Sequence, residues 1–370
     1  MNEMSFLYKK TSSQIVIFLI ISISFIFSYK YVARITNYSL YISIAYAVFM
    51  FCMTGLILNG VYVINSRLLY SIVALYVLSI IIGFFIIDPV SLRVDRWILI
   101  TRFWDAALSG IYPYQVRSSP NGVGIGAFPF YFLLAFPFYL VGEIGYFSLL
   151  GLLVMLLDIN LYFKNDVHKK LAAIFLLLSS VAIWWEMIVR STLLINAALI
   201  LLYSMWMVSN KNQSLRQYTI KGILGGLLLS TRGIFVVPII FCCFYCFLKP
   251  WKFKEMLVYC SSFVIAFIIT FVPFYLWDRQ LFILHNPFMV QGDVVGPYIS
   301  IALLMISLMA GFLVKTESEL YLGSGLIIYG AAFIYFISRF IQSGFNLESV
   351  VTVVDVSYFI LALPFLLLSI

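Results

Sequence analysis

Charge is what this 370-residue sequence has least of: Asp, Glu, Lys and Arg together make up 10% of it. A soluble domain carries roughly a quarter charged residues, so the composition excludes one. Histidine is scarcer still, with only His168 and His285. The five cysteines, Cys52, Cys242, Cys243, Cys246 and Cys260, all fall inside apolar runs. Cys242-Cys243-x-x-Cys246 has the spacing of a metal motif, but its neighbours are Phe, Tyr and Ile, with no His or carboxylate close by. These cysteines read as small buried hydrophobes, and neither a metal site nor a disulfide framework is implied. Internal repeats and low-complexity segments are absent, and no polar stretch is long enough for a separate soluble domain.

What is present is apolar: 64% of the residues are hydrophobic, and the mean hydropathy is +1.06. A helix needs ~20 apolar residues to cross a bilayer, and lipid offers no partner to a bare backbone, so long apolar runs must be helices. Such runs read as 14–33, 39–63, 68–88, 128–163, 171–186, 191–208, 222–248, 256–277, 297–314, 320–338 and 349–370. Run 128–163 is too long for one crossing and is interrupted at Gly142-Glu143. Run 222–248 is broken at Ser230-Thr231-Arg232-Gly233, with Pro238 following. A break inside a membrane helix is either a tight hairpin or a mark of a ligand site. The expectation is an all-α polytopic transmembrane bundle of about 10–13 spans, forming one domain over 1–370. Within it, 1–88 supplies three N-terminal spans, 89–127 an outer loop, 128–296 the core spans and 297–370 the C-terminal spans.

The net charge of +8 lies mostly in short loops, where it sets topology and attracts anionic lipid. Lys9 and Lys10 precede the first run without a small-residue cleavage site, which predicts a retained first helix. Placing Lys9, Lys10, Arg67, Lys164, Lys169, Lys170, Lys211, Arg216, Lys221, Lys249, Lys252 and Lys254 together in the cytoplasm puts 89–127 outside. Lys30 and Arg34 resist this arrangement, because they fall outside as well.

The outer loop departs furthest from lipid-like composition. On a helix, Asp95, Arg102, Asp105 and Ser109 share one arc, while Trp97, Ile100, Phe103, Trp104, Ala107 and Leu108 fill the other side. Arg96 stands off that polar arc at about 100° from Asp95. The pattern predicts an amphipathic interfacial helix stopped by Gly110, followed by Ile111-Tyr-Pro-Tyr114 and a Gly-rich polar stretch from Ser118 to Gly126. Ten residues separate Asp95 from Asp105, or roughly 15 Å of helix rise. A glycosidase-type pair needs carboxyls roughly 5–9.5 Å apart, so the two cannot share one reaction centre. Asp95 at the helix start is free to act, and Asp105 has the spacing to orient Arg102.

These residues resemble the first outer loop of the GT-C superfamily, membrane glycosyltransferases that use polyprenyl-phosphate-linked sugars, and in particular its multi-spanning mannosyltransferases. The resemblance rests on Asp95, Asp105-Ala-Ala107, Gly110 and Pro113-Tyr114, then on the proline-led run from Pro129 to Pro137. Lys221-Gly-Ile-Leu-Gly-Gly-Leu-Leu-Leu-Ser-Thr-Arg232 is similar to the family's Gly-x-x-x-Gly helix ending in a basic residue, and Pro273-Phe-Tyr-Leu-Trp-Asp278 to its Pro-Phe-x-x-Trp-Asp segment. Many relatives carry two acidic residues at the first position; here Arg93 stands two before Asp95, so the paired-carboxylate metal site is not matched.

The resemblance implies inverting transfer of a sugar from a polyprenyl-phosphate donor to a lipid-linked or glycan acceptor on the outer face of a cytoplasmic membrane. No cofactor is expected; one carboxylate can serve as general base without an ion, and a divalent metal stays an open alternative that the residues do not support. Asp95 is the candidate base, with Asp105 beside it in the loop. Arg232, Arg102, Arg117 and Arg190 are candidates for the donor phosphate, because a guanidinium fork binds phosphate bidentately. Glu186 has the helical spacing to pair with Arg190 instead. Tyr112, Tyr114, Trp185 and His285 are candidate substrate contacts. Asp278 and Arg279 read as a local loop pair, and Asp355, within the last apolar run, as facing a cavity or pairing inside the bundle. Two other classes compete. A lipid-linked oligosaccharide polymerase or ligase would use outer-loop arginines and a histidine, but His168 is expected in the cytoplasm. A lipid-linked sugar flippase or transporter would place ionisable residues within several spans.

Overall fold

The computed structural model describes residues 3–62, 65–92, 94–117, 122, 124–209, 214–248 and 251–370. Of the residues named above, Arg93, Ser118, Lys211 and Lys249 lie outside these. The described chain is helical, and it contains no strand beyond an isolated bridge between Arg117 and Gly124.

Three long helices open the chain: α1 (Glu3–Val32), α2 (Ser39–Leu58) and α3 (Ser66–Ile86). The loop helix α4 (Arg96–Leu108) follows, then α5 (Pro129–Val141) and α6 (Gly145–Tyr162). A middle group comprises α7 (Val167–Leu178), α8 (Val181–Ile188), α9 (Leu193–Ser209), α10 (Leu215–Leu229) and α11 (Val236–Phe247). Next come α12 (Phe253–Ile269), α13 (Val272–Trp277), α14 (Arg279–Leu284), α15 (Pro287–Val295) and α16 (Pro297–Gly311). The chain closes with α17 (Glu317–Gln342), α18 (Leu347–Thr352) and α19 (Leu363–Leu368).

Six helical stretches among the described residues are long and apolar enough to cross a membrane, or up to eight if each of two bent pairs is one span. That is fewer than the apolar runs suggested, and the reasons are local. Run 128–163 divides where Gly142 adopts φ +84 and ends α5. A left-handed glycine is a standard helix stop. Run 171–186 bends by 52° between α7 and α8. Run 349–370 is a chain of short turns rather than a span, ending in α19, whose six residues are all buried.

The core explains why α19 is not on the outside. Helix α9 has Leu194, Ile195, Ala197, Ala198, Ile200 and Leu201 all at 0% exposure. A helix apolar all round belongs at a bundle centre, and α19 packs against it. Glycine sets two of the closest crossings. A Cβ at Gly151 of α6 would lie 2.6 Å from the Ile195 backbone nitrogen, and one at Gly226 of α10 would lie 2.2 Å from the Phe263 carbonyl oxygen of α12. Small residues of this kind let membrane helices approach backbone to backbone. On the periphery, Phe49, Leu75, Phe85 and Ile265 are exposed, as expected of side chains that face lipid tails. Cys242 and Cys246 are buried in the core, while Cys52 is on the surface.

Candidate functional site

Asp95 caps α4 in position only: its side chain makes no capping hydrogen bond, and it has no hydrogen-bond or ion-pair partner among the described residues. The apolar face of α4 buries Ile100, Phe103 and Ala106. Phe103 stacks on Phe132 of α5 with ring centroids 3.7 Å apart, and the Trp104 indole N–H donates to the Phe132 carbonyl at 3.1 Å. Thus α4 packs along α5. This fixes its rotation, so that Asp95 and Arg96 face inward while Arg102 and Asp105 stay exposed.

The break after α10 is tied to the same place. The Phe128 N–H donates to the Thr231 carbonyl at 3.2 Å, and the Phe130 N–H to the Ser230 carbonyl at 2.9 Å. The unpaired amides at the start of α5 therefore find their acceptors in the broken helix. Gln291 of α15 locks the junction, accepting from the Gly233 N–H at 2.8 Å and donating to the Gly126 carbonyl. Arg232 emerges between these contacts in an extended conformation. Its Nε is buried without a hydrogen-bond partner among the described residues, and its guanidinium carbon lies 5.8 Å from the centre of the Tyr131 ring. Burial shifts the guanidinium below its ordinary value, with Tyr131 working the other way.

Asp95 and Arg232 line one cavity of about 1260 Å³. Arg117, Tyr114, Trp185 and His285 also line it, so the cavity gathers six of the ten residues the sequence nominated. Tyr114 is buried and donates its hydroxyl to the Ala127 carbonyl at 3.2 Å. Trp185 stacks on Tyr31 at 3.7 Å. Arg117 donates to the Gly122 carbonyl at 3.2 Å.

Four nominated residues lie elsewhere. Asp105 is exposed and accepts a hydrogen bond from the Tyr139 hydroxyl at 2.6 Å; it is not paired with Arg102. Arg102 donates instead to the Arg117 carbonyl at 2.9 Å, and so acts on the loop backbone. Tyr112 is buried away from the cavity, edge-on to Trp277. Arg190 is 1% exposed and holds φ +56, outside the usual range for its type. Its guanidinium reaches Glu143 at 3.3 Å and the carbonyls of Phe84, Ile87 and Ile188. That network ties the end of α3, the α5–α6 turn and α8 together. Glu186, the partner expected from spacing, is buried with neither carboxylate oxygen hydrogen-bonded among the described residues. Asp278 caps α14 by accepting from the Gln280 and Leu281 N–H groups, and it is not paired with Arg279.

Several cavity residues were not nominated. Lys30 of α1, Arg34 in the turn after it, Arg96 of α4 and Arg339 of α17 line it together with Asp355. Arg96 and Asp355 form an ion pair. Asp355 also accepts from the Ser357 N–H at 2.9 Å. Burial alone would raise the Asp355 carboxyl, yet Arg96, the Ser357 N–H and Lys30 hold it below the usual carboxylate range. Burial pulls the Arg96 guanidinium down, but the same pairing raises it above its ordinary value. Lys30 donates to the Val354 carbonyl, and Arg34 to the Val351 carbonyl at 3.3 Å. The sequence did carry signals for this set. Lys30 and Arg34 were the charges that broke the loop pattern, and Asp355 was the carboxylate inside an apolar run.

Chemically, the wall combines a carboxylate without a partner, a guanidinium without an acceptor and several further cations. Such a set can take a proton from a hydroxyl and hold an anion. Among the described residues no three His, Cys, Asp or Glu side chains gather as a metal-binding group. Comparison with known protein families, curated proteins and solved structures returned no match for this chain.

Proposed function

We propose that the protein is an integral membrane glycosyltransferase that moves a sugar from a polyprenyl-phosphate donor to a lipid-linked or glycan acceptor. The observation that carries this reading is the cavity shared by Asp95, whose carboxylate makes no hydrogen bond or ion pair, and Arg232, whose Nε is buried without a hydrogen-bond partner, among the described residues. In the proposed reaction the acceptor hydroxyl attacks the anomeric carbon of the donor sugar. Asp95 takes the hydroxyl proton as the new glycosidic bond forms. The bond from that carbon to the phosphate oxygen breaks, the electron pair leaves with the phosphate, and inversion follows from direct displacement. Arg232 faces the charge that grows on the departing phosphate, which lowers the barrier most where water is excluded. Trp185 offers the sugar the ring face turned away from Tyr31, buried Tyr114 holds the loop backbone beneath it through the Ala127 carbonyl, and His285 stands at the acceptor side. We place the cavity on the extracytoplasmic face of a cytoplasmic membrane, with the N-terminus inside.

The test uses purified protein in liposomes with a radiolabelled polyprenyl-phosphate sugar and a membrane lipid extract. Wild type is expected to transfer label, and Asp95→Asn to lose about 10²–10⁴ in rate at equal expression and melting temperature. Equal transfer by both would remove Asp95 from the reaction.

A second reading, a flippase for lipid-linked sugars, draws on the bend of 62° at Gly296, where the α14–α15 stretch meets α16 beside the cavity. It predicts movement of a fluorescent lipid-linked sugar across the liposome bilayer without chemical change.

A further inference from the structure

The cavity carries more positive charge than the proposed donor can balance. Six cations line it against two carboxylates, leaving four positive charges uncompensated. A polyprenyl-phosphate sugar is a phosphodiester with one negative charge. The arginine placed to meet it is Arg232, which leaves further cations on the wall.

Apart from Arg232 and the paired Arg96, the remaining cations are Arg117 in the outer loop and Lys30, Arg34 and Arg339 from α1, the turn after it and α17. Lys30 is 6% exposed, and its ammonium is held by a neutral acceptor, the Val354 carbonyl. Arg34, one helical turn on, reaches the Val351 carbonyl at 3.3 Å and lies 4.8 Å from the Tyr31 ring centre. Arg339, in the last turn of α17, reaches the neutral Gln342 amide oxygen at 3.3 Å. Neutral acceptors fix geometry without cancelling charge. Asp355, the carboxylate that lines the cavity beside Lys30, is already paired with Arg96. Lys30 is the buried member of the group, and a buried cation is tolerated when an anion completes its site.

We propose that Lys30, Arg34 and Arg339 form a second anion subsite, separate from Arg232, that takes the diphosphate group of a lipid-linked ligand. The identification of that ligand as the glycosyl acceptor rests on the glycosyltransferase reading; the subsite itself does not. A diphosphate brings at least two negative charges, and its two phosphates can be shared between α1 and α17. The donor phosphodiester and this group together approach the four uncompensated charges.

The test is a binding measurement on the purified full-length chain in nanodiscs of neutral phosphatidylcholine. Farnesyl diphosphate, farnesyl monophosphate and inorganic pyrophosphate are titrated, and dissociation constants are read by native mass spectrometry. Wild type is expected to hold farnesyl diphosphate about tenfold or more tighter than the monophosphate, the scale of one added charge-assisted contact. The variant Arg34→Gln/Arg339→Gln changes two exposed side chains and leaves buried Lys30 in place. It is expected to lose that preference while keeping monophosphate binding, whereas Arg232→Gln is expected to weaken the monophosphate. Equal binding of the two farnesyl ligands by wild type, or a preference that survives Arg34→Gln/Arg339→Gln, would overturn the subsite. Inorganic pyrophosphate binding as tightly as farnesyl diphosphate would overturn the lipid-linked assignment. So would phosphatidylglycerol in the nanodisc competing as well as the diphosphate. A failed transfer assay with an intact diphosphate preference would remove the glycosyltransferase reading and leave the subsite standing.

Discussion

Arg96 and Asp355 stand 259 positions apart in sequence and form an ion pair on the cavity wall. The pair joins the loop helix α4 to the segment between α18 and α19, so one contact fixes both the start of the site and the end of the chain. Asp355→Asn keeps the shape of the side chain and removes its charge. It is expected to lower the melting temperature and to free Arg96 on the wall. Arg96→Gln is expected to do the same through the other partner. If the two act through this contact, a double-mutant cycle on unfolding gives a coupling of about 1–3 kcal/mol, as found for residues in direct contact. Additive losses would show that each side chain stabilises the fold through something else.

The same pair has a defined pH window. The folded Asp355 carboxyl is held below the usual range by Arg96, the Ser357 N–H and Lys30, against its burial. An unfolded Asp titrates near 3.9, so the pair's contribution to stability is complete above about pH 5 and disappears as pH falls through the lower folded value. The melting-temperature difference between wild type and Asp355→Asn is therefore expected to shrink as pH falls below about 4. Subtracting the variant cancels titrating groups remote from Asp355, and the low-pH window lies far from those of the buried groups that feel it. A difference unchanged from about pH 5 down to about pH 2 would mean the carboxylate does not stabilise the fold through these groups.

The two carboxylates of the loop helix should separate in a transfer assay. Asp95 lines the cavity, whereas Asp105 is exposed and accepts from Tyr139. Asp105→Asn keeps an acceptor for the Tyr139 hydroxyl. Its transfer rate is expected within about threefold of wild type, against the about 10²–10⁴ loss of Asp95→Asn. A severe loss in Asp105→Asn at unchanged melting temperature would return that residue to the site and require α4 to sit differently.

What could be read in advance follows from how far apart the interacting residues are. The period of apolar residues places α4 within a residue of its observed start, and Gly110, at φ +74, ends it where expected. The break at 230–233 is visible as polar residues inside an apolar run. A helical wheel relates residues of one helix to each other, however, and does not say which arc a neighbour covers. Arg96, off the polar arc, is the residue that reaches Asp355; Asp105, on the arc, faces outward with Tyr139. Arg190 shows the same limit. Its spacing suggests Glu186, while the fold brings in Glu143 from 47 positions away together with backbone carbonyls of α3. Lys30 and Arg34 are exceptions in a charge pattern until the cavity supplies their reason.

Helix α10 carries Arg232 to the cavity, and its height along the bundle is set by the contact with α12. At Gly222 a Cβ would meet Ser262 Oγ at 2.0 Å and the Tyr259 carbonyl oxygen at 2.5 Å; at Gly226 it would meet the Phe263 carbonyl oxygen at 2.2 Å. Backbone cannot rotate away as a side-chain tip can, so Gly226→Val must part the helices. Overpacking of this kind typically costs about 1–3 kcal/mol even where the core can adjust. The expected result is a lower melting temperature together with weaker binding of an anion at Arg232, because the end of α10 moves with its axis. Gly330 is the control. It lies within α17, where an added methyl would meet nothing within 4 Å among the described residues, so Gly330→Ala removes backbone freedom without a clash. Such a change stabilises a helix by roughly 0.4–1 kcal/mol. Gly226→Val and Gly330→Ala should therefore shift melting in opposite directions. If Gly226→Val melts like wild type, the α10–α12 crossing is not the constraint that positions Arg232.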